Sequence, residues 1–336
     1  MAEVVERAPL TLIACEAGQP LAERVAAQLR TVVAPSRDVW FACGEGKHVI
    51  DANVRGTDVY VVQSLVDPGS TRSIYDRFIM LLHAIEAASL ADAQDVTAVV
   101  PYFPGARQDK RKGRAREGIS AGLFARCLQE AGARRVVAVE VHNPAIAGMF
   151  DASRCRLEDI QLHPTFGPWL REQGLNGELV ASPDVGGLER ARYYAEDLAE
   201  GLVVLSKLRD YRIPNHVVAS TLIGDVSGRD VLLVDDIIDT AGSVAAAVRE
   251  LKQGGARNIT VACAHPVLSG PAWERLDALA DLAASEGWRF RVVGTSSIEH
   301  RRDAAYYRSF DLAPLLSRVV RSINLRGSVT GAQRGR

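Results

Sequence analysis

The sequence predicts an α/β protein of two domains, each with a mainly parallel sheet flanked by helices. Short apolar runs rich in β-branched residues alternate with longer segments of helical periodicity along nearly the whole chain. Such runs are typical of strands buried on both faces of a parallel sheet. Their alternation with helices is typical of α/β folds, and 336 residues are enough for two domains.

The first half of the chain supplies the elements of one such domain. Strands are predicted at residues 10–15, 58–63, 96–103 and 135–141, where apolar and β-branched residues cluster. Helices are predicted at residues 20–29, 73–89 and 119–131, where apolar residues recur at helical spacing.

The second half repeats the pattern. Strands are predicted at residues 178–181, 202–205, 231–234, 259–264 and 289–294, and helices at 189–200 and 244–251. The pattern weakens near residues 151–164, so we expect domains at residues 4–150 and 151–320. The polar residues 321–336 are expected to form a flexible tail.

Composition excludes several classes of protein. The chain is 47% hydrophobic and 24% charged, with a formal net charge of −1, which argues against a surface built to bind nucleic acid. No apolar run reaches the roughly 20 residues of a membrane helix, and the N-terminus does not resemble a secretory signal. Five cysteines without CxxC spacing predict reduced thiols in the cytoplasm and no structural zinc.

The stretch VLLVDDIIDTAGSV, residues 231–244, joins a buried strand to a helix through acids and small residues. In open α/β sheets ligands bind at the carboxyl ends of strands, and a helix start with small residues binds anions. The acids Asp235 and Asp236 therefore suit sugar hydroxyls or Mg²⁺, and the loop suits a phosphate. A single Asp at such a turn often only caps the helix, but three acids before Thr-Ala-Gly-Ser favour a ligand site.

A second turn of the same type is SPDVGGLERA, residues 182–191. Asp184 follows the strand, and the paired Gly186 and Gly187 allow backbone N–H groups to approach a phosphate closely. Two such turns in one domain predict a ligand that carries phosphate at both ends.

Two segments concentrate positive charge. Residues 107–116 carry six cations after a predicted strand; Arg suits phosphate because its fork is bidentate, although a charged loop is often merely solvated. Lys207 and Arg209 leave another strand for a predicted loop, where fixed cations can stabilise a transferring phosphoryl group.

His142 ends a strand and could bind metal or phosphate, although a lone His is more often structural.

Together these segments resemble the ribose-phosphate pyrophosphokinase family over residues 10–329. PYFPGARQDK resembles its ATP loop, SPDVGGLERA its pyrophosphate loop, Lys207-Leu-Arg209 its catalytic loop, and DDIIDTAGS the motif that it shares with type I phosphoribosyltransferases. The segments NVRG (53–56) and VLSG (267–270) also fit. The resemblance implies two domains like type I phosphoribosyltransferases.

The resemblance implies that ribose 5-phosphate attacks MgATP through its 1-hydroxyl, takes the diphosphoryl group and releases AMP. It implies Mg²⁺ as cofactor and a homo-oligomer built from dimers, such as a hexamer or tetramer, without nucleic-acid or membrane partners. The implied roles are catalysis by Lys207 and Arg209; ATP binding by Phe41, Glu45, Arg107 and Gln108; ribose 5-phosphate binding by Asp235, Asp236, Asp239, Thr240, Ala241, Gly242 and Ser243; diphosphate binding by Asp184, Gly186 and Gly187; and metal binding by His142 and Asp184.

The departures from the family pattern lie mainly in the first half. The adenine-contacting stretch of the family, Phe-x-Asp-Gly-Glu, has Cys43 in place of its Asp, and that Asp is thought to act across a subunit interface. Glu140 replaces an Asp, Gly118 replaces a Pro, and two glutamines after His142 are missing. A regulatory subunit that binds a true synthetase is therefore one alternative, and a phosphoribosyltransferase is another.

Overall fold

The computed structural model describes residues 7–111, 113, 115–209 and 217–335, without the side chains of residues 207–209 and 217–220. The chain forms two compact units. The N-terminal unit comprises the residues up to Gln161, Ser297–His300 and the residues from Asp311 onward, and the C-terminal unit comprises Leu162–Ser296 and Arg301–Phe310.

The predicted strands and helices are all present, with ends that differ by a few residues. The strands are β1 (Leu10–Ala14), β2 (Ser36–Trp40), β3 (Gly46–Ile50), β4 (Asp58–Val62), β5 (Asp95–Val99), β6 (Arg135–Val139), β7 (Arg156–Ile160), β8 (Leu179–Ser182), β9 (Gly201–Arg209), β10 (Val217–Ile223), β11 (Asp230–Ile238), β12 (Asn258–Pro266), β13 (Phe290–Thr295) and β14 (Tyr307–Phe310). The α-helices are α1 (Gln19–Leu29), α2 (Ile74–Leu90), α3 (Ser120–Glu130), α4 (His163–Glu172), α5 (Leu188–Leu198), α6 (Gly242–Gln253), α7 (Ala272–Glu286), α8 (Ala313–Asn324) and α9 (Val329–Gln333).

The N-terminal unit is built on a five-stranded sheet in the order β1-β4-β5-β6-β7. Its strand pairs are all parallel, and its central strands are apolar on both faces, as strands covered by helices must be. Strands β2 and β3 form a separate antiparallel hairpin. The sequence did not predict this hairpin, because charged residues interrupt both of its strands.

The C-terminal unit is built on a seven-stranded sheet in the order β10-β9-β8-β11-β12-β13-β14. Only the β9–β10 pair is antiparallel, so the prediction of mainly parallel sheets flanked by helices is confirmed. The residues Leu233, Val261 and Val292 of its central strands are buried against α6 and α7. None of the helices in the described part of the chain is long and apolar enough to cross a membrane.

The boundary between the units differs from the predicted one after residue 150. Strand β7 pairs with β6 at the edge of the first sheet, so the N-terminal unit continues to Gln161. The polar residues of this edge strand, Arg156, Glu158 and Asp159, concealed it in the sequence, because they interrupt the apolar run or strict alternation that indicates a strand.

The residues expected to form a flexible tail are helical and pack on the N-terminal unit. Helix α8 continues to Asn324, and α9 packs beside it, with Arg318 donating to the Ala332 carbonyl over 3.1 Å. The amide of Asn324 is buried and donates to the buried Asp58 carboxylate over 3.1 Å and to the Ala8 carbonyl over 2.9 Å. Polar composition predicted fraying here, but these polar groups are held by specific internal partners.

We predict that Asn324→Ala lowers the free energy of unfolding by about 1–3 kcal/mol, because Asp58 loses a donor while it stays buried. Burial raises the pKa of the Asp58 carboxyl, and the hydrogen bonds from Asn324 and Tyr60 oppose that rise. The variant carboxyl therefore binds a proton at higher pH in the folded state, and the loss of stability should shrink as pH falls. Urea unfolding at pH 7.5 and pH 5 measures both effects; an equal loss for the exposed Arg334→Ala would contradict the assignment.

Candidate active site

The two predicted phosphate-binding turns leave neighbouring strands of the C-terminal sheet. Strands β8 and β11 are neighbours in the sheet. After β8 the chain passes to β9, on the side away from β11, and after β11 it passes to β12, on the side away from β8, so the strand order reverses between them. The two strands are parallel, with Leu233 level with Ala181, and their carboxyl ends share one edge. Ligands of open α/β sheets bind at such a switch point, so both turns border one candidate site.

Strand β11 carries the two adjacent acids within its last four residues, rather than directly after its end as predicted. Asp236 is buried, with an exposed fraction of 6%, and its backbone N–H donates to the Asp235 carboxylate over 2.9 Å. Burial, and then the charge of Asp236, raise the pKa of the Asp235 carboxyl well above its ordinary value. Asp235 is half-buried, and two carboxylates so close together favour a ligand that donates hydroxyl hydrogen bonds or brings positive charge.

Arg190 supplies a cation to this pair. Its guanidinium Nη1 lies 3.8 Å from Asp236 Oδ1, and both side chains are largely buried. The charge of Arg190 lowers the pKa of Asp235, opposing the effects of burial and of Asp236. Sequence reasoning included Arg190 in the second turn but gave it no role; its position in the first turn of the helix after Gly187 was the available clue.

The loop after β11 presents the start of α6. Ala241 precedes the helix in the left-handed conformation, with φ of 57°, and makes no side-chain cap for the helix. Thr240 and Ser243 are exposed, and the first turn of α6 contains no acidic residue. Backbone N–H groups at the start of a helix carry partial positive charge, so residues 239–243 form a cradle for an anion such as phosphate.

Two side chains outside the motif brace this cradle. Ser269 donates from its hydroxyl to the Asp239 carboxylate and from its backbone N–H to the Asp239 carbonyl. Arg275 of α7 donates to the Thr240 carbonyl over 2.7 Å, and a Cβ on Gly242 would approach this guanidinium to 3.2 Å. Asp239 thus holds the loop in shape, a role that the spacing of the motif alone did not predict.

The turn after β8 is closed by Asp184. Its carboxylate accepts from the Gly187 N–H over 3.0 Å, and the Ser182 hydroxyl donates to its carbonyl over 2.7 Å. A Cβ on Gly187 would lie 2.9 Å from the Ser182 hydroxyl, and one on Gly186 would lie 3.2 Å from the Asp184 carboxylate. A side chain at Gly187 would displace the Ser182 hydroxyl, and one at Gly186 would crowd the Asp184 carboxylate. The two glycines therefore leave the backbone of the turn open to close approach by a ligand.

Lys207 and Arg209 differ from their predicted place in a loop. Their backbone continues β9 and pairs with β10, where Lys207 lies opposite Ser220 and Arg209 opposite Val217. Their side chains, and residues 210–216, lie outside the described part of the chain, as do residues 112 and 114 of the basic segment.

The N-terminal unit brings the predicted ATP loop beside the segment that carries His142. The Ser120 hydroxyl at the start of α3 donates to the Gln108 side chain over 2.5 Å. Asp109 accepts from the Asn143 amide, also over 2.5 Å. Arg107, Gln108 and His142 have exposed side chains, so these predicted residues lie at one end of β5 and β6, where a ligand can reach them.

The remaining two predicted nucleotide contacts lie at the tip of the hairpin. Phe41 and Glu45 close the turn between β2 and β3, with the Phe41 N–H donating to the Glu45 carbonyl over 2.8 Å. Phe41 is 48% exposed, and Lys47 Nζ lies 5.9 Å from the centre of its ring. Cys43 is exposed at the tip itself, where the side chain can contact only a ligand or another molecule.

Two family models match the chain. The model of the N-terminal domain of ribose phosphate pyrophosphokinase matches residues 10–132, and the phosphoribosyl transferase domain matches residues 168–294. The second match contains both turns of the switch point, and the first contains the hairpin and the predicted ATP loop.

Individual relatives are similar over nearly their whole length. The ribose-phosphate pyrophosphokinase of Mycobacterium tuberculosis is 38% identical over 329 residues, which is 97% of this chain and 96% of the relative. That of Bacillus subtilis is 34% identical over 292 residues, 86% of each chain. The crystal structure of phosphoribosylpyrophosphate synthetase from Mycobacterium smegmatis superposes with a TM-score of 0.83 at 32% identity, covering 95% of this chain and all of the other.

We predict that Arg190→Gln lowers the free energy of unfolding by about 1–3 kcal/mol at pH 7.5, because the buried carboxylates lose a compensating cation. Without that cation the folded-state pKa of Asp235 rises further above its unfolded value. The folded variant then binds its proton at higher pH, so the deficit should diminish as pH is lowered towards 5. Urea unfolding of Arg192→Gln, an exposed residue of the same helix, is the matched control, and a deficit independent of pH would contradict the pairing.

Proposed function

The chain belongs to the ribose-phosphate pyrophosphokinase family, and we propose that it transfers the β,γ-diphosphoryl group of MgATP to ribose 5-phosphate. The 1-hydroxyl of the sugar attacks the β-phosphorus, and the products are phosphoribosyl pyrophosphate and AMP. The observation that carries this proposal is the pair of turns at one switch point, because the product has a phosphate at one end and a diphosphate at the other.

The turn after β11 is the proposed site for ribose 5-phosphate. Asp235 and Asp236 accept hydrogen bonds from the ribose hydroxyls, since neighbouring buried carboxylates are strong acceptors. The N–H groups and hydroxyls of Thr240, Ala241, Gly242 and Ser243 bind the 5-phosphate, and Asp239 keeps their loop in place through Ser269. This arrangement fixes the 1-hydroxyl, and such positioning supplies much of the catalysis in phosphoryl transfer.

The turn after β8 is the proposed site for the transferred diphosphate. Gly186 and Gly187 let the backbone approach its oxygens, as the close contacts of both positions require. Lys207 and Arg209 neutralise the negative charge that develops during transfer, a role in which fixed cations lower the barrier.

ATP is proposed to bind through the N-terminal unit. Arg107 and Gln108 contact the nucleotide, and Phe41 and Glu45 contact adenine. In an oligomer whose hairpin reaches across a subunit interface, that adenine belongs to the ATP of the neighbouring copy. Exposure of Phe41 at the hairpin tip supports a contact outside its own unit.

Mg²⁺ is the proposed cofactor, with Asp184 as its proposed ligand in the C-terminal unit and His142 as its proposed ligand in the N-terminal unit, each directly or through water. These residue types suit the ion, because Mg²⁺ keeps several waters and takes one or two protein groups with substrate phosphates. Asp184 has a second carboxylate oxygen beside the one that accepts from Gly187. When bound, the ion would neutralise charge on the phosphate oxygens, and the turn closed by the Asp184–Gly187 hydrogen bond would keep the Asp184 carboxylate in place.

The test is formation of AMP from ATP and Mg²⁺, with and without ribose 5-phosphate. The proposal requires AMP that depends on the sugar. ADP as the product would contradict diphosphoryl transfer, and no sugar-dependent product would favour the regulatory-subunit alternative, for which Cys43 at the hairpin tip is the specific observation. Transfer of phosphoribose to a nucleobase would instead support a phosphoribosyltransferase.

We predict that Lys207→Ala lowers turnover by about 100- to 1000-fold with little change in the affinity for ribose 5-phosphate, because its charge acts on the transition state. Steady-state kinetics measures both quantities. Lys252→Ala, which removes an ammonium at the far end of α6, should leave turnover unchanged, and an unchanged rate in Lys207→Ala would contradict the role.

We propose a homo-oligomer built from dimers, with a hexamer as the larger form. Helices α2 and α3 expose the apolar side chains of Tyr75, Ile79 and Leu123. Tyr75 stacks on Phe124 of α3 at 6.1 Å between ring centres, so the two helices that carry these side chains touch. Exposed apolar side chains on adjoining helices suit a protein interface.

We predict that Ile79→Asp dissociates the oligomer, because the charge would be buried at the interface without a partner. Light scattering after size exclusion measures the mass. Leu90→Asp is the matched control, since Leu90 is an exposed apolar residue at the end of the same helix; equal masses for all three proteins would contradict this interface.

We also propose a cytoplasmic location. The five cysteines are all free thiols, a state that the reducing cytoplasm maintains. Location remains a prediction, which fluorescence microscopy of the tagged chain would test.

A further inference from the structure

The middle of the hairpin contributes to a buried cluster of three side chains outside the proposed active site. Cys15 follows β1, and Asp38 of β2 lies directly opposite His48 of β3. The thiol sulfur, a carboxylate oxygen and an imidazole nitrogen lie within 4.8 Å of one another. Cys15 is fully buried and His48 is 6% exposed.

One nitrogen of the cluster is left unsatisfied. His48 Nδ1 lies 2.7 Å from Asp38 Oδ1, and the other oxygen of Asp38 accepts from the Glu16 N–H over 2.9 Å. His48 Nε2 is buried without a hydrogen-bond partner among the described residues. An ion bound through Nδ1 would replace the Nδ1–Asp38 hydrogen bond and take the carboxylate as a further ligand, and the ring proton would then reside on Nε2.

We propose that Cys15, Asp38 and His48 form a binding site for a divalent transition-metal ion, with zinc the ion that the ligand set favours. Sulfur, imidazole and carboxylate are the donors that zinc takes in proteins. Magnesium avoids sulfur and requires an octahedron of oxygens, so this site would not compete for the ion of the proposed reaction.

Binding would change the protonation of Cys15. Burial, with the charge of Asp38 added to it, raises the pKa of the thiol well above its ordinary value, so the metal-free cysteine is neutral and unreactive. When the metal binds, the metal–sulfur bond replaces the S–H bond and one proton passes to solvent. Ligands around zinc lie about 3.5 Å apart, as bond lengths near 2.1–2.3 Å require, so Asp38 Oδ1 and His48 Nδ1, 2.7 Å apart without the metal, would separate to admit the ion.

The cluster does not serve as a nucleophilic Cys–His–Asp site. Cys15 has no exposed surface, and its neutral thiol is a poor nucleophile. A buried water on His48 Nε2 is the competing occupant, and the experiment distinguishes it from a metal.

A metal at this position would link the end of β1 to both strands of the hairpin. The hairpin carries Phe41 and Glu45 in its turn. Under the proposed function, the metal would therefore fix the position of the strands that carry the adenine-contacting residues. Metal binding itself does not depend on that function, and its test has no activity readout.

The test uses the full chain without an affinity tag, treated with a chelator and then titrated with Co²⁺ and Zn²⁺. We expect one Co²⁺ per chain, a thiolate-to-cobalt absorption band in the near ultraviolet, and release of one proton. Zn²⁺ should abolish the band by displacement and raise the Tm by at least about 3 °C, whereas Mg²⁺ should do neither.

Variants assign the ligands. Cys15→Ser should lose the cobalt band, His48→Gln should weaken binding at least tenfold, and Asp38→Asn should weaken it by about 10- to 100-fold. Cys127→Ser, a thiol outside the cluster, should bind as the wild type does. Absence of the band in the wild type would overturn the proposal in favour of water. A band that persists in Cys15→Ser and vanishes in Cys127→Ser would overturn it in favour of a metal at Cys127. The wild-type titration decides the matter if a buried variant fails to fold.

Discussion

The proposed active site depends on two carboxylates that a parallel strand carries to its buried end. Apolar residues fix β11 in the middle of the C-terminal sheet, so Asp235 and Asp236, near its carboxyl end, lie close together where access of water is restricted. Such a pair is costly unless a cation or a hydrogen-bonding ligand compensates it. Arg190 provides part of that compensation, and a sugar with several hydroxyls would provide more.

The topology of the sheet then determines what else can reach those carboxylates. Because the chain turns away from β8 and β11 in opposite directions, their loops border the same space. One loop ends in a helix start braced by Ser269 and Arg275, and the other is a tight turn closed by Asp184. Rigid anion cradles on either side of a pair of acids suit a phosphorylated sugar that receives a second phosphate group.

Sequence predicted this part of the molecule well, because its signals are local. Apolar runs, acids and small residues at fixed spacing specify a strand, a loop and a helix start wherever they occur. The braces were not predictable, since Ser269 and Arg275 come from segments whose position depends on the folded sheet. The hairpin and β7 were missed because charged residues interrupt the apolar runs of their strands. The cluster of Cys15, Asp38 and His48 lacks metal-site spacing, and only the pairing of β2 with β3 brings it together.

The most direct test of the central claim is calorimetric titration of the chain with three sugars in the absence of nucleotide. Ribose 5-phosphate should bind. Unphosphorylated ribose, which lacks the 5-phosphate, and 2-deoxyribose 5-phosphate, which lacks the 2-hydroxyl, should each bind about 10- to 100-fold more weakly, because each loses one charge-assisted set of hydrogen bonds. The first loss would report the loop at the start of α6, and the second would report Asp235 and Asp236. Equal affinity for ribose 5-phosphate and its 2-deoxy analogue would contradict the account.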